Sequence, residues 1–293
     1  MRAFGASLAL STIFAAACSP PAQEAPPPTT APAGPRVQSE EVAYSSGDTT
    51  LRGYLAWDSN QQGERPGVLV VHEWWGHDDH ARTRARQLAE LGYTALAVDM
   101  YGDGKQADHP DDAGAFSSAV MQDLAAAQAR FEAAHALLDA HPTTDASRTG
   151  AIGYCFGGGV VLHMARVGAD LQAVASFHGS LGSMHTPEPG SVKAKILVAH
   201  GAADPFVPEE QVGAFKKEMD AAGADYRFEA YEGALHSFTN PGADAKGEEF
   251  GLPLKYDAEA DRQSWQAMQE LFAEAFAAAP AAAAPAAGDP AGG

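Results

Sequence analysis

Apolar and polar positions along the chain fall into a central rhythm flanked by two stretches that lack it. The runs Gly67–His72, Thr94–Asp99, Ala151–Gly153, Ala173–Phe177 and Ile196–Ala199 are short, continuous and built from Val, Ile, Leu, Ala and Gly. Runs of this kind are buried on both faces, as in the strands of a parallel sheet. Helices are predicted between and after them over Ala81–Leu91, Asp111–Ala140, Gly158–Val167, Glu209–Ala222 and Ala258–Ala277, from length and alanine content. A hairpin comes first: Val42–Ser45 and Thr50–Trp57 flank Ser46-Gly47-Asp48, giving an antiparallel start at one sheet edge. Strand and helix in alternation predict a single α/β domain over residues 37–277, with a mostly parallel sheet covered by helices on both faces.

The flanks read differently. Arg2 followed by the apolar stretch Ala3–Ala17 has the layout of a secretory signal, so residues 1–17 are expected to be a signal peptide, too short to span a bilayer. Ala15-Ala16-Ala17-Cys18 resembles the lipobox of bacterial lipoproteins, which makes Cys18 the expected lipidation site; an ordinary signal peptide cut nearby is the alternative. Residues 18–36, rich in Pro, Ala and Thr, are expected to form a disordered tether. Residues 278–293, where Pro280, Pro285, Gly288 and Pro290 interrupt an alanine run, are expected to be a disordered tail. The implied destination is the bacterial cell envelope, lipid-anchored at the periplasmic face of the outer membrane, since Ser19 supplies no aspartate-type retention signal.

Charge narrows the partners. Of 293 residues, 38 are Asp or Glu and 19 are Lys or Arg, a net charge of -19, so nucleic acid and anionic membrane surfaces are disfavoured and membrane contact is expected only through the lipid anchor. The two cysteines, Cys18 and Cys155, lie in segments of unlike character, which argues against a structural disulfide. The domain is expected to be a monomer.

Ligands of open α/β sheets bind beyond the carboxyl ends of the strands, so the chemistry is sought there. Gly153-Tyr154-Cys155-Phe156-Gly157-Gly158 follows one such strand and reads as a nucleophile elbow, with flanking glycines where backbone crowds the turn. A small buried cysteine in a Gly-rich turn is the plain alternative. Other strands end in His72-Glu73-Trp74-Trp75-Gly76, in Gly201-Ala202-Ala203-Asp204 and in Gly233-Ala234-Leu235-His236. The chain order is nucleophile, acid, histidine, the order of α/β-hydrolases, with room for about one helix and one strand in each gap. A thiol with a pKa of ~8.5 is only a few per cent ionised near neutrality and needs such a base, while the helix opening after Cys155 favours a thiolate.

Those segments, together with Asp99-Met100-Tyr101, Pro205-Phe206-Val207-Pro208 and His236-Ser237-Phe238, resemble the dienelactone hydrolase family of α/β-hydrolases. The resemblance covers roughly Val42 to Phe276. It implies Cys155 as nucleophile, His236 as base, Asp204 as the orienter of that histidine, and Glu73 as an extra carboxylate that helps control ionisation of the thiol. It also implies an oxyanion hole from the backbone N–H groups of Trp74 and Phe156. Dienelactone-cleaving members hold the substrate carboxylate with arginines. Here the matching positions carry Asp103 and Asn240, so a neutral ester or lactone is expected, with Lys105 the cation to suspect if an acid binds.

Other groupings change the picture less. His72, Glu73, His77, Asp79 and His80 cluster, but H-E-x-x-H spacing is absent and no metal is expected. Trp74, Trp75, Tyr101 and Phe206 read either as an aromatic wall of the pocket or as packing. His178 ends a strand, placed to line the pocket or to serve a loop hydrogen bond. The expectation is a hydrolase of small carboxylic esters or lactones that works through a cysteinyl acyl-enzyme without cofactor. A catalytically silent small-molecule binding module, or a thioesterase or peptidase, is the alternative.

Overall fold

The computed structural model describes Met1 and residues 34–183 and 185–277. The expected signal peptide, the tether up to residue 33, Cys18 and the tail lie outside the described residues. One eight-stranded sheet runs through the domain in the order β1-β2-β4-β3-β5-β6-β7-β8. β1 (Val37–Ser46) and β2 (Thr49–Asp58) form the expected hairpin, and β2 is antiparallel to β4 (Thr94–Val98). β3 (Arg65–Val71), β5 (Thr144–Tyr154), β6 (Ala173–Phe177), β7 (Lys195–Gly201) and β8 (Tyr226–Tyr231) continue in parallel with β4.

The continuous apolar runs have a direct packing consequence. Successive residues of a strand point to opposite faces, so Leu69, Val71, Leu96 and Val98 enter one core while Val68, Val70, Ala95 and Ala97 enter the other. The first core is closed by α3 (Leu124–Asp139), α4 (Phe156–Arg166) and α5 (Glu209–Ala222), the second by α1 (Asp79–Glu90) and α7 (Ala258–Ala277). Each fully buried Leu or Val contributes about 1.5–3 kcal/mol of transfer free energy, enough to fix the register that aligns the strand ends.

Two elements depart from expectation. The helix read as continuous over Asp111–Ala140 is broken at Asp123, where φ -124° and ψ 76° are not helical and Oδ1 accepts from the Ala126 amide. A short side chain able to cap a new helix N-terminus competes successfully with continuation, giving α2 (Pro110–Gln122) and α3. The second departure is α6 (Ala243–Phe250), a short helix in the connection between β8 and α7.

Candidate active site

β5 delivers Cys155 into a turn that only small neighbours permit. Cys155 has φ 53° and ψ -115°, outside the regions ordinary residues favour. A Cβ at Gly153 would collide with the Gly157 carbonyl, and one at Gly157 with the Val71 and His72 carbonyls. The two glycines are therefore required by backbone approach. Gly157 N–H donates to His72 O (3.1 Å), which docks the start of α4 against the β3 end. Among the described residues, the Trp74 and Phe156 amides donate to no protein acceptor.

β7 and the segment after β8 supply the second pair. His236 Nδ1 lies 2.7 Å from Asp204 Oδ2, and the other Asp204 oxygen accepts from the Phe206 amide (2.8 Å). Burial alone would lower the His236 pKa. The adjoining Cys155 sulfur and the Asp204 carboxylate overcome that and raise it to about 10. Cys155 and His236 line the same cleft.

Glu73 is fully buried at the β3 end. It accepts from Ser237 Oγ (2.7 Å) and Asn240 Nδ2 (2.5 Å), and His80 Nδ1 is 3.9 Å away. Burial, then Asp78, push its pKa above the usual carboxylate range, and the two hydrogen bonds offset this only in part. Loop side chains hold the rest. Asp99 accepts from the amides of Tyr101, Gly102, Gly104 and Arg52, Tyr101 Oη donates to Trp74 O (2.8 Å), and His72 bridges Glu73 O and the Met100 amide. His72 and His77 are spent on backbone groups, and no metal-holding cluster occurs among the described residues.

The cleft over Cys155 has a volume of about 320 Å³ and a mostly apolar lining that includes Trp74, Met121, Phe156, Phe206, Val207 and Leu254. Ser117, Ser118 and Met121 come from α2, whose sequence carried no signal for a pocket wall. No lysine or arginine lines it among the described residues.

Several residues expected at the substrate stand elsewhere. Trp75 is buried beneath Lys246 (3.8 Å from Nζ to the ring centre) and beside Phe250. Lys105 lines a separate hollow with Arg130; Tyr101 also faces that hollow, while its hydroxyl, held by the Trp74 carbonyl, stays close to Cys155 and Ser117 at the cleft. Asp103 lines none of the described clefts, and its N–H donates to Thr50 O on β2 (2.9 Å). His178 is fully buried beneath the elbow. Phe206 does line the cleft, and it is half exposed.

The strand order, the strained elbow and the Asp204–His236 pair on the following strand ends define an α/β-hydrolase. The chain belongs to the dienelactone hydrolase family, whose model matches residues 51–276, and is an ester/lactone hydrolase by class. It is similar to protein usf of Aquifex pyrophilus, with 30% identity over 207 residues covering 68% of this chain and 86% of that one. Among solved structures it is similar to m3DLH, with 42% identity, 82% of this chain and 99% of that chain covered, and a TM-score of 0.77. It is also similar to the dienelactone hydrolase-like promiscuous phosphotriesterase P91 from metagenomic libraries, with 39% identity, the same coverage and a TM-score of 0.75.

Proposed function

We propose that the protein hydrolyses small, uncharged carboxylic esters or lactones through an acyl-enzyme on Cys155. The observation that carries this reading is the apolar cleft, free of lysine and arginine among the described residues, in which Cys155 and His236 meet. Cys155, as thiolate beside the His236 imidazolium, adds to the substrate carbonyl, and the oxyanion is received by the unpartnered amides of Trp74 and Phe156. As the C–O bond breaks, His236 gives its proton to the departing alkoxide. It then takes a proton from water, the hydroxide adds to the thioester, and the thiolate leaves with the acid as product. Asp204 holds the Nδ1–H tautomer throughout.

The lack of lysine and arginine among the described lining residues, rather than Asp103, is what favours neutral substrates, since a desolvated carboxylate would meet only the His236 imidazolium, whose charge is already matched by Asp204 and the thiolate. Brief exposure to a neutral aryl ester should leave an acyl adduct on Cys155 by mass spectrometry, and Cys155→Ala should abolish both adduct and turnover. A carboxylated analogue of the same ester should show kcat/KM lower by about tenfold or more. Turnover in Cys155→Ala, or preference for the acid, would overturn the mechanism or the substrate class respectively.

We also propose export and lipidation at Cys18, supported by the apolar leader and Ala15-Ala16-Ala17-Cys18. Expressed with its own leader, the protein should partition into membranes, and Cys18→Ser should release it. Unchanged partitioning and mature mass in that variant would leave plain secretion.

A further inference from the structure

β5, which carries Cys155, and β8, which leads to His236, are not neighbours. β6 and β7 stand between them, so no direct backbone ladder joins the strand of the thiol to that of the imidazole. A side chain at the end of β6 spans the gap. Tyr154 pairs with Phe177 and Phe177 with Ala199, so the residue after each of the first two, Cys155 and His178, come side by side. The His178 amide donates to Ala199 O (2.8 Å), and its φ of 39° is a left-handed value that non-glycine residues rarely adopt.

The ring is fully buried and both nitrogens are used. Nδ1 accepts from the Cys155 amide (3.2 Å), which that amide shares with Phe177 O (3.0 Å), and Nε2 is 2.8 Å from Thr239 Oγ1. An accepting Nδ1 leaves the proton on Nε2, so the ring donates to Thr239. Burial keeps it neutral, with a pKa well below that of an ordinary histidine. Thr239 lies in the segment that begins at His236 and is itself fully buried; its carbonyl accepts from Arg84 Nη2 (2.6 Å), which also binds Asp261 Oδ1 (2.5 Å). The rings of His236 and Phe238 meet the imidazole at 5.3 and 5.2 Å and keep it from tipping.

We infer that His178 is a positioning residue, a bridge from the Cys155 amide to the Thr239 hydroxyl that sets the elbow and the His236 segment at working distance. The inference rests on the assignment of Cys155 and His236 to the reaction. His178→Asn retains an acceptor near Nδ1 and loses the donor to Thr239. His178→Gln does the reverse, and Thr239→Val removes the hydroxyl at nearly constant volume.

Each variant should lower kcat by about ten- to a hundredfold and leave KM within about twofold. The rate of Cys155 alkylation by iodoacetamide should fall in parallel. His178→Asn combined with Thr239→Val should be no slower than the slower single variant, because both cut the same link. Alkylation needs no ester, so it reports on the bridge even if turnover in Cys155→Ala removes the reaction assignment. Folded variants with wild-type kcat and alkylation rates would make His178 core filling, and a raised KM at unchanged kcat would make it a pocket residue. Either result overturns the inference. If the His178 variants do not fold, wild-type rates in Thr239→Val overturn it alone.

Discussion

Glu73 is a buried carboxylate with two neutral donors, Ser237 and Asn240, and no lysine or arginine bonded to it. Asn240 is therefore doing the work of a donor rather than simply lacking an arginine's charge. Asn240→Asp would set two carboxyl groups against each other in a buried site, where they must share one proton. At pH 5 the shared proton restores the hydrogen bond, and at pH 8 its loss leaves like charges buried together. The variant should be less stable than wild type by about 2–4 kcal/mol at pH 8 and by clearly less at pH 5, read from urea midpoints at both. An equal loss at the two values would mean that charge is not the cause. Little of this was legible beforehand. Cys155 and Asp204 declare themselves by following apolar runs and His236 by its place in the nucleophile-acid-histidine order, whereas the partners of Glu73 lie 164 and 167 positions away and only the folded chain joins them.

Secondary-structure elements repeat that division between what pattern reveals and what packing decides. The central parallel strands are visible because burial on both faces makes them apolar throughout, whereas the edge strand β8, YRFEAY and only partly buried, leaves no such run. The stretch from Asp111 to Ala140 reads as one helix because its composition is uniformly helix-forming, and only the capping geometry of Asp123 divides it. The break matters for function, since α2 then lays Ser117, Ser118 and Met121 along the cleft over Cys155. Met121 is the largest of the three, so on the proposed reaction it would limit the length of the acyl or alkoxy group. Met121→Ala should raise kcat/KM for longer-chain neutral esters relative to acetyl esters by about ten- to a hundredfold, the scale of one or two methylenes in an apolar pocket. An unshifted chain-length profile would place the bound chain elsewhere.

For the molecule as a whole, the price of this site is a set of histidines that must stay uncharged inside it. His72, at about 4, and His80, at about 3, are depressed by burial, and His178 lies well below the ordinary value for the same reason. In the unfolded chain each would titrate near 6.5. Their contribution to stability is complete above pH 6.5 and is lost as pH falls toward the folded values, because the unfolded state takes up protons that the folded state refuses. Each such ring adds a slope of at most about 1.4 kcal/mol per pH unit near pH 5, and His77, His141, His163 and His200, also lowered by burial, act in the same direction. Glu73, Asp78 and Asp261, raised by burial, bind protons more readily when folded and oppose it. The lowered histidines outnumber the raised carboxyls, so a net loss of stability is expected as pH falls from 6 to 5. His236 acts in the other direction: raised to about 10, it adds stability that is full below pH 6.5 and disappears as pH rises through 10. Urea midpoints measured from pH 5 to pH 10 should therefore peak near neutrality and fall on both sides. The acid limb should be shallower in His178→Asn, which removes one of the refusing rings. A midpoint that is flat from pH 7 to pH 5 would mean that these rings carry protons in the folded protein, and the neutral tautomer assigned to His178 would fall with it.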